Sequence, residues 1–303
     1  METEKTAQKK ELPSFIYGVL LTLECAIWGF SNAFSKLGFE AITPLWALVM
    51  RYLVSIILFL TFFGKRIITR FQKSAIKPCL IVSLFTAAAF VLGFVALDNT
   101  SATNSGFLMS LAVVFVPVLS VFVLKTRFEF KFIIPVAIAA AGLFLICGGR
   151  LDSLCLGDIL AILCSCASAM MLIFSVKYLS NADIEPLVLC IIQCAVCFAV
   201  CLPLALIFEP LPDIIHMAPI GWYMLAVISV GGTFLAYLFQ NIALSRVSPT
   251  FGALVFCTEP IFTAITAYFM LDERMGLLSI SGAILITVGI VLASIFDSRR
   301  DKG

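Results

Sequence analysis

"LTLECAIWGFSN", residues 21–32, sets Glu24, Ser31 and Asn32 inside a run that is apolar on both sides. The fold turns on how that run is read. A soluble domain would bury it in a core, whereas a membrane chain would lay it across hydrocarbon. Runs of about 20 apolar residues match a hydrocarbon layer of about 30 Å, and such runs recur along all 303 residues. The chain is 62% hydrophobic and only 13% charged, with a mean hydropathy of +1.11, where soluble domains carry about 25% charged residues. This excludes a soluble globule and predicts an all-α polytopic membrane protein.

The apolar pattern places ten transmembrane helices at 15–37, 44–63, 78–97, 103–124, 132–149, 156–178, 186–208, 219–241, 249–271 and 277–296. Polar or proline-bearing joints such as "FEAITP" (39–44) and "EPLPDIIHMAP" (209–219) separate them, and none is long enough for a soluble domain. The first run is too long for a signal peptide and lacks a small-residue cleavage site, so it is expected to stay as the first span. With the N-terminus in the cytoplasm, the inner segments hold sixteen of the twenty Lys and Arg residues. The outer loops keep only Arg150 and Arg274. Both tails, 1–14 and 297–303, are therefore expected in the cytoplasm, with the chain in the cell membrane. Trp46 and Trp222 fall at the outer interface on this reading.

The net charge of +2 arises from short basic clusters between spans, so it reports topology and implies no nucleic-acid partner. Most of the eleven cysteines lie within predicted helices and read as small apolar groups. Cys190, Cys194, Cys197 and Cys201 stack on one face of the seventh span, which suits a packed helix interface better than a thiolate metal site. No nucleotide or metal motif is present in the sequence, and no cofactor is expected.

The two halves resemble each other. Sliding the chain by 147 residues matches 84–146 to 231–293 with thirteen identities, including Thr86/Thr233, Phe115/Phe262, Arg127/Arg274 and Gly142/Gly289. Biased composition alone gives on the order of five. Five spans per half is an odd number, so matched loops fall on opposite sides of the membrane. The inner loop "KTRFEFK" (125–131) is basic, and its outer match "DERMGLL" (272–278) is not. That is the signature of an inverted repeat, which lets one central site face either side in turn. The units expected are 15–149 and 156–296.

Several phrases carry a family resemblance: "WGFSNAFSK" (28–36), "RYL" (51–53), "ALDNTSATNSGFL" (96–108) and "ALSRVSPTFGALVFCTEPIFTAITAYFMLDERM" (243–275). With ten spans in a 5+5 repeat, the chain resembles the drug/metabolite transporter superfamily, specifically its EamA-type exporters. The resemblance extends over nearly the whole chain and is most specific at Glu259-Pro260-Ile261-Phe262 and Glu273-Arg274. The first half departs from it, with Val113 where Pro260 would match and Thr126 where Glu273 would, so its fourth span is expected to bend differently. The resemblance implies a carrier of small organic solutes with spans one, three, four, six, eight and nine around the path.

Two acidic residues lie deep. Glu24 is nine residues into the first span and Glu259 ten into the ninth, both from the inside, which puts each roughly 14–15 Å deep. A charge at the bilayer centre costs about 2.5–3.5 kcal/mol unless it is neutralised, paired or wetted. Glu24, Trp28, Ser31 and Asn32 follow helical spacing and form one stripe, which would be implausible against lipid. Glu24 and Glu259 are thus candidates for substrate binding or proton coupling, against the alternative of carboxyls neutralised to lock helix packing. Trp28, Ser31, Asn32, Thr86 and Tyr237 are further candidates, and Pro260 is a candidate hinge in the gating helix. Asn104, Ser105, Gln240 and Asn241 are weaker ones, the last two because they could reach the inner headgroups. Arg51 and Lys36 read as structural or snorkelling residues.

The function expected is a secondary transporter exporting amino acids or related small metabolites by alternating access, not an enzyme. Coupling to protons or by exchange stays open, as does a homodimer. A lipid-linked or sugar-phosphate translocator is the alternative within transport, weakened by the absence of an expected midplane Lys or Arg for phosphate. A membrane scaffold and an intramembrane enzyme are the alternatives outside it. His216, the sole histidine, falls in an outer loop, and no HExxH or GxSxG pattern occurs.

Overall fold

The computed structural model describes residues 14–100, 105, 108–125, 129–146, 155–181, 184–271 and 276–297. Among these every regular element is a helix. In chain order they are α1 (Ser14–Gly38), α2 (Pro44–Arg70), α3 (Ile76–Asn99), α4 (Ala112–Leu124), α5 (Ile133–Ile146), α6 (Leu156–Ser180) and α7 (Pro186–Phe208). There follow α8 (Pro219–Ala226), a π-helical segment (Val227–Leu235), α9 (Ala236–Leu244), α10 (Pro249–Phe256), α11 (Glu259–Leu271) and α12 (Leu277–Asp297). Each of the ten stretches read as spans contains helix. Seven stretches are long and apolar enough to cross a membrane, and shorter apolar helices lie at Leu108–Leu124, Phe130–Leu145 and Ile280–Ala293. The joint at 272–275, with Glu273 and Arg274, lies outside the described residues, as do Asn104, Thr126 and Arg127.

Local chemistry explains where helices begin. Pro44, Pro186, Pro219 and Pro249 each open one, where a missing N–H costs nothing and the fixed φ suits the first turn. The Ser248 hydroxyl accepts from the Phe251 N–H at 3.3 Å to cap α10. The N-terminus of α2 is capped from a distance. Glu209, just past α7, accepts from the backbone N–H groups of Leu45 (3.0 Å) and Trp46 (3.1 Å) and from the Thr43 hydroxyl. A carboxylate there also meets the positive end of the helix dipole. Helix α2 runs to Arg70, past the expected end at 63, and its basic tail reaches Glu185 through Arg66 (2.9 Å) and Arg70 (3.7 Å). The α2/α7 contact is therefore tied at both ends.

Helix pairing sets the architecture. The main contacts are α3 on α6, α5 on α12, α2 on α7, α3 on α7 and α1 on α11. Helix α1 also packs along the whole of α8, the π segment and α9, while α4 packs on α6. Large apolar side chains such as Ile57, Phe62, Phe122, Ile207 and Phe208 point outward, as lipid-facing surfaces require. Trp46, expected at the interface, is turned inward and buried, and Trp222 is exposed as expected. The cysteine stripe on α7 is buried against neighbouring helices, with Cys190 Sγ donating to the Tyr237 carbonyl at 3.4 Å.

The ninth stretch is not one helix. It breaks at Cys257–Thr258, between α10 and α11. The fourth breaks as well, at Leu111, which the 147-residue offset matches to Thr258. The hydrogen bonds match one for one. Leu111 N–H bonds the Leu108 carbonyl, while Val114 and Phe115 bond that of Leu111; Thr258 likewise bonds Val255, while Ile261 and Phe262 bond Thr258. The break occurs in both halves, with Val113 in one and Pro260 in the other, so a proline at that position is not required for it; the first half carries its proline further on, at Pro117 inside α4.

Candidate functional site

The stripe on α1 faces inward, as its spacing predicts. Glu24 is fully buried and Ser31 nearly so, and neither Glu24 carboxyl oxygen nor the Ser31 hydroxyl has a hydrogen-bond partner. Asn32 Nδ2 donates to Glu259 Oε1 at 2.6 Å, which joins α1 to the first residue of α11. The close approach of these helices requires Gly29, because a Cβ there would sit 2.6 Å from Phe262 Cβ and 2.7 Å from the Thr263 nitrogen. A half-buried carboxyl, bonded to α1 through Asn32, thus stands where α11 begins, and a fully buried one without a partner lies two turns earlier on α1.

Trp28 extends the site to the π segment. Its indole N–H donates to the Gly232 carbonyl at 2.8 Å, and its ring packs edge-on against Phe90 and tilted against Phe256. A π segment shifts the backbone register within a helix and is often found at functional positions. Tyr237, one turn beyond it, is fully buried, with its hydroxyl 3.3 Å from that of Tyr52 and its ring against Phe90. Phe90 is therefore the common neighbour of Trp28, Tyr52, Tyr237 and Phe94.

Thr86 belongs to a second polar layer. Its hydroxyl accepts from Gln193 Nε2 at 3.0 Å and donates to the Val82 carbonyl, and Gln193 Oε1 accepts from Asn241 Nδ2 at 2.7 Å. Its bond to another helix thus runs toward α7 rather than toward the carboxyls. Gln240 and Asn241 are buried, so they do not reach headgroups, and Gln240 Nε2 has no partner. Ser105 is buried and bonds Met109 Sδ at 3.7 Å. The side chain of Lys36 lies outside the described residues.

Arg51, read from the sequence as structural, is bonded to a neighbouring helix. It does not snorkel: it is 3% exposed and lies against the middle of the 219–244 helix. Its Nε donates to Thr233 Oγ1 and its Nη2 to the Gly232 carbonyl, while its guanidinium carbon sits 4.6 Å from the centre of the Phe90 ring. Among the described residues it forms no ion pair. A deep cation is present after all, and the argument that weakened a phosphate carrier loses its ground. The available signal was the "RYL" phrase with its ten-ångström depth, roughly seven residues into the second span.

His216 lies exposed in the 209–218 loop and pairs with Asp213 at 2.8 Å, a contact that holds the Asp213 carboxyl below its usual range. Among the described residues no group of three or more His, Cys, Asp or Glu is arranged to hold a metal ion.

Comparisons agree with the helical frame. The EamA-like transporter family matches residues 16–148 and again 155–295. A protein of Archaeoglobus fulgidus described as an uncharacterized transporter is 24% identical over 277 residues, covering 91% of this chain and 84% of that protein. A second, likewise described and from the same organism, is 25% identical over 283 residues, covering 91% and 96%. A solved protein crystal structure shares the fold at a TM-score of 0.75 and 16% identity, covering 94% of this chain and 98% of that one. With its repeated apolar helices, this is a multi-pass membrane protein, and the chain belongs to the EamA-like transporter family.

Proposed function

We propose that the protein is a secondary transporter that exports amino acids or related small metabolites across the cell membrane by alternating access, with proton coupling through the Glu24/Glu259 pair. Its ten spans form a 5+5 inverted repeat of units 15–149 and 156–296, with the tails 1–14 and 297–303 in the cytoplasm. The packing pairs support this, since exchanging the halves maps each main contact onto another or onto itself. Thus α3 on α6 becomes the 219–244 helix on α1, α4 on α6 becomes α11 on α1, and α5/α12 and α2/α7 each map to themselves. The matched breaks at Leu111 and Thr258 support it too.

The observation that carries the reading is the buried, unpartnered Glu24 on the same helix whose Asn32 bonds Glu259. A transmembrane carboxyl without protein partners is functional by default, because a purely structural one would be bonded. Trp28, Ser31 and Tyr237 line the same centre, Thr86 braces it from the second layer, and Pro260 marks the hinge of the gating helix. The test is uptake of a mixed amino-acid and metabolite panel into proteoliposomes with purified protein. Saturable uptake of amino acids is expected, and uptake of sugar phosphates alone would overturn the substrate assignment. The sugar-phosphate reading remains as a second one because Arg51 places a cation in this centre.

A further inference from the structure

We propose that Arg51 is a positioning residue: from α2 it holds the one-residue register shift of the 219–244 helix, and that shift turns Tyr237 and Asn241 toward the centre of the bundle. Its bearing on transport rests on the reading of Trp28 and Tyr237 as site residues, while its bearing on the helix does not.

The two halves supply the comparison. The 147-residue offset pairs Thr233 with Thr86 and puts the π segment, 227–235, opposite residues 80–88 of α3. Those residues stay α-helical. The paired hydroxyls record the difference. Thr86 Oγ1 donates to the carbonyl four residues back, Val82, at 2.9 Å, whereas Thr233 Oγ1 donates five residues back, to Ile228, at 3.0 Å. One helix has thus taken up a residue that the other has not.

Their partners differ at the same place. Helix α7 meets α3, α2 meets the π segment, and each sends one side chain to the threonine. From α7, Gln193 gives Thr86 a single amide donor and turns its oxygen to Asn241. From α2, Arg51 gives its Nε to Thr233 and its Nη2 to the Gly232 carbonyl. A guanidinium is a rigid fork, so it fixes a side chain and the preceding residue's carbonyl on one edge of the helix. Ser55, one turn on along α2, adds a bond to the Ser229 carbonyl at 3.0 Å. Three acceptors of the π segment are therefore held from α2. The sequence favours the same end, since Gly231 and Gly232 weaken an α-helix where α3 has Leu84 and Phe85.

At 3.6 residues per turn, one residue is about 100° of rotation. Everything after the π segment is turned by that much relative to Met224, which packs on Gly38. In the shifted register Tyr237 meets Tyr52 and Phe90, and Asn241 meets Gln193. Relaxed to an α-helix, the chain would bring Ala236 to the place of Tyr237 and Gln240 to that of Asn241. Trp28 would also lose its fixed acceptor, because it shares the Gly232 carbonyl with Arg51.

The test uses purified full-length protein and a deletion as compensation. Arg51→Gln copies the Gln193 contact and should let the helix relax. The emission of Trp28, isolated by Trp46→Phe and Trp222→Phe, should then shift. Uptake of an L-amino-acid mixture into proteoliposomes should fall about tenfold or more, the scale of lost hydrogen bonds to a charged group. Deletion of Gly231 takes one residue out of the segment and gives an α-helix the register that the π segment now supplies. In wild type the deletion opposes Arg51 and should lower Tm. In Arg51→Gln it should raise Tm and return the Trp28 emission toward wild type, with uptake following. Equal Tm losses from the deletion in both backgrounds, or an unchanged Trp28 emission in Arg51→Gln, would overturn the proposal. If wild type takes up no amino acid, the transport reading fails, and Tm and emission still decide the register. Should Arg51→Gln not fold, Thr233→Val removes one Arg51 acceptor with the charge kept, and the same comparison with and without Gly231 decides.

Discussion

Helix α1 packs on α11 as α6 packs on α4, with one helix from each half of the sequence in either pair, yet the two contacts differ in chemistry. The first has Glu24, Trp28, Ser31 and Asn32 along α1, with Asn32 bonded to Glu259 at the start of α11. The second sets α6, which has no carboxylate after Asp158 in its first turn, against a break of Leu111-Ala112-Val113. Backbone geometry is shared at the two breaks, down to the same three hydrogen bonds. The bend therefore belongs to the fold, and the polar groups are an addition to one copy of it. An addition that costs stability in hydrocarbon is best explained by what it binds.

Three substitutions probe that difference, beginning with the largest effect. Ala112→Glu copies Glu259 into the apolar pair, where no Asn32 equivalent waits. It should destabilise the protein by about 2.5–3.5 kcal/mol, seen as a lower Tm in detergent; an unchanged Tm would mean that the α4/α6 contact is wetter than its residues suggest. Gly29→Ala wedges the polar pair apart at Phe262 and should cost about 1–3 kcal/mol, whereas Gly64→Ala, with no atom within 4 Å, should cost nothing. Equal Tm values for the two would contradict the close α1/α11 approach. Pro260→Val makes the second break chemically like the first. The bend should persist with a loss of only about 0.4–1 kcal/mol, and a larger loss would restore proline as its cause.

Much of this was legible in the sequence, and the exceptions have physical causes. Helix positions follow from apolar runs and prolines, which act locally, so the described helices begin where the composition changes. The α1 stripe was readable because helical spacing alone fixes which residues share a face. The break at Leu111 was not, because no proline stands at the position matching Pro260, and Pro117 lies six residues on. The partners of Arg51 were not legible, because depth along a helix does not say which way a side chain turns and its acceptors come from the π segment of a distant helix. Phe90 was invisible as one of 28 phenylalanines, with nothing local to mark it as the neighbour of Trp28, Tyr52 and Tyr237.

The central claim is that the carboxyls Glu24 and Glu259 couple transport to the proton gradient. It is tested most directly by amino-acid flux into proteoliposomes under an imposed pH gradient, comparing wild type with Glu24→Gln and Glu259→Gln at matched folded protein. The account predicts gradient-driven flux in wild type, lost in Glu24→Gln while the protein stays folded, and reduced in Glu259→Gln. Full gradient-driven flux in both variants would contradict it and return the two carboxyls to a packing role.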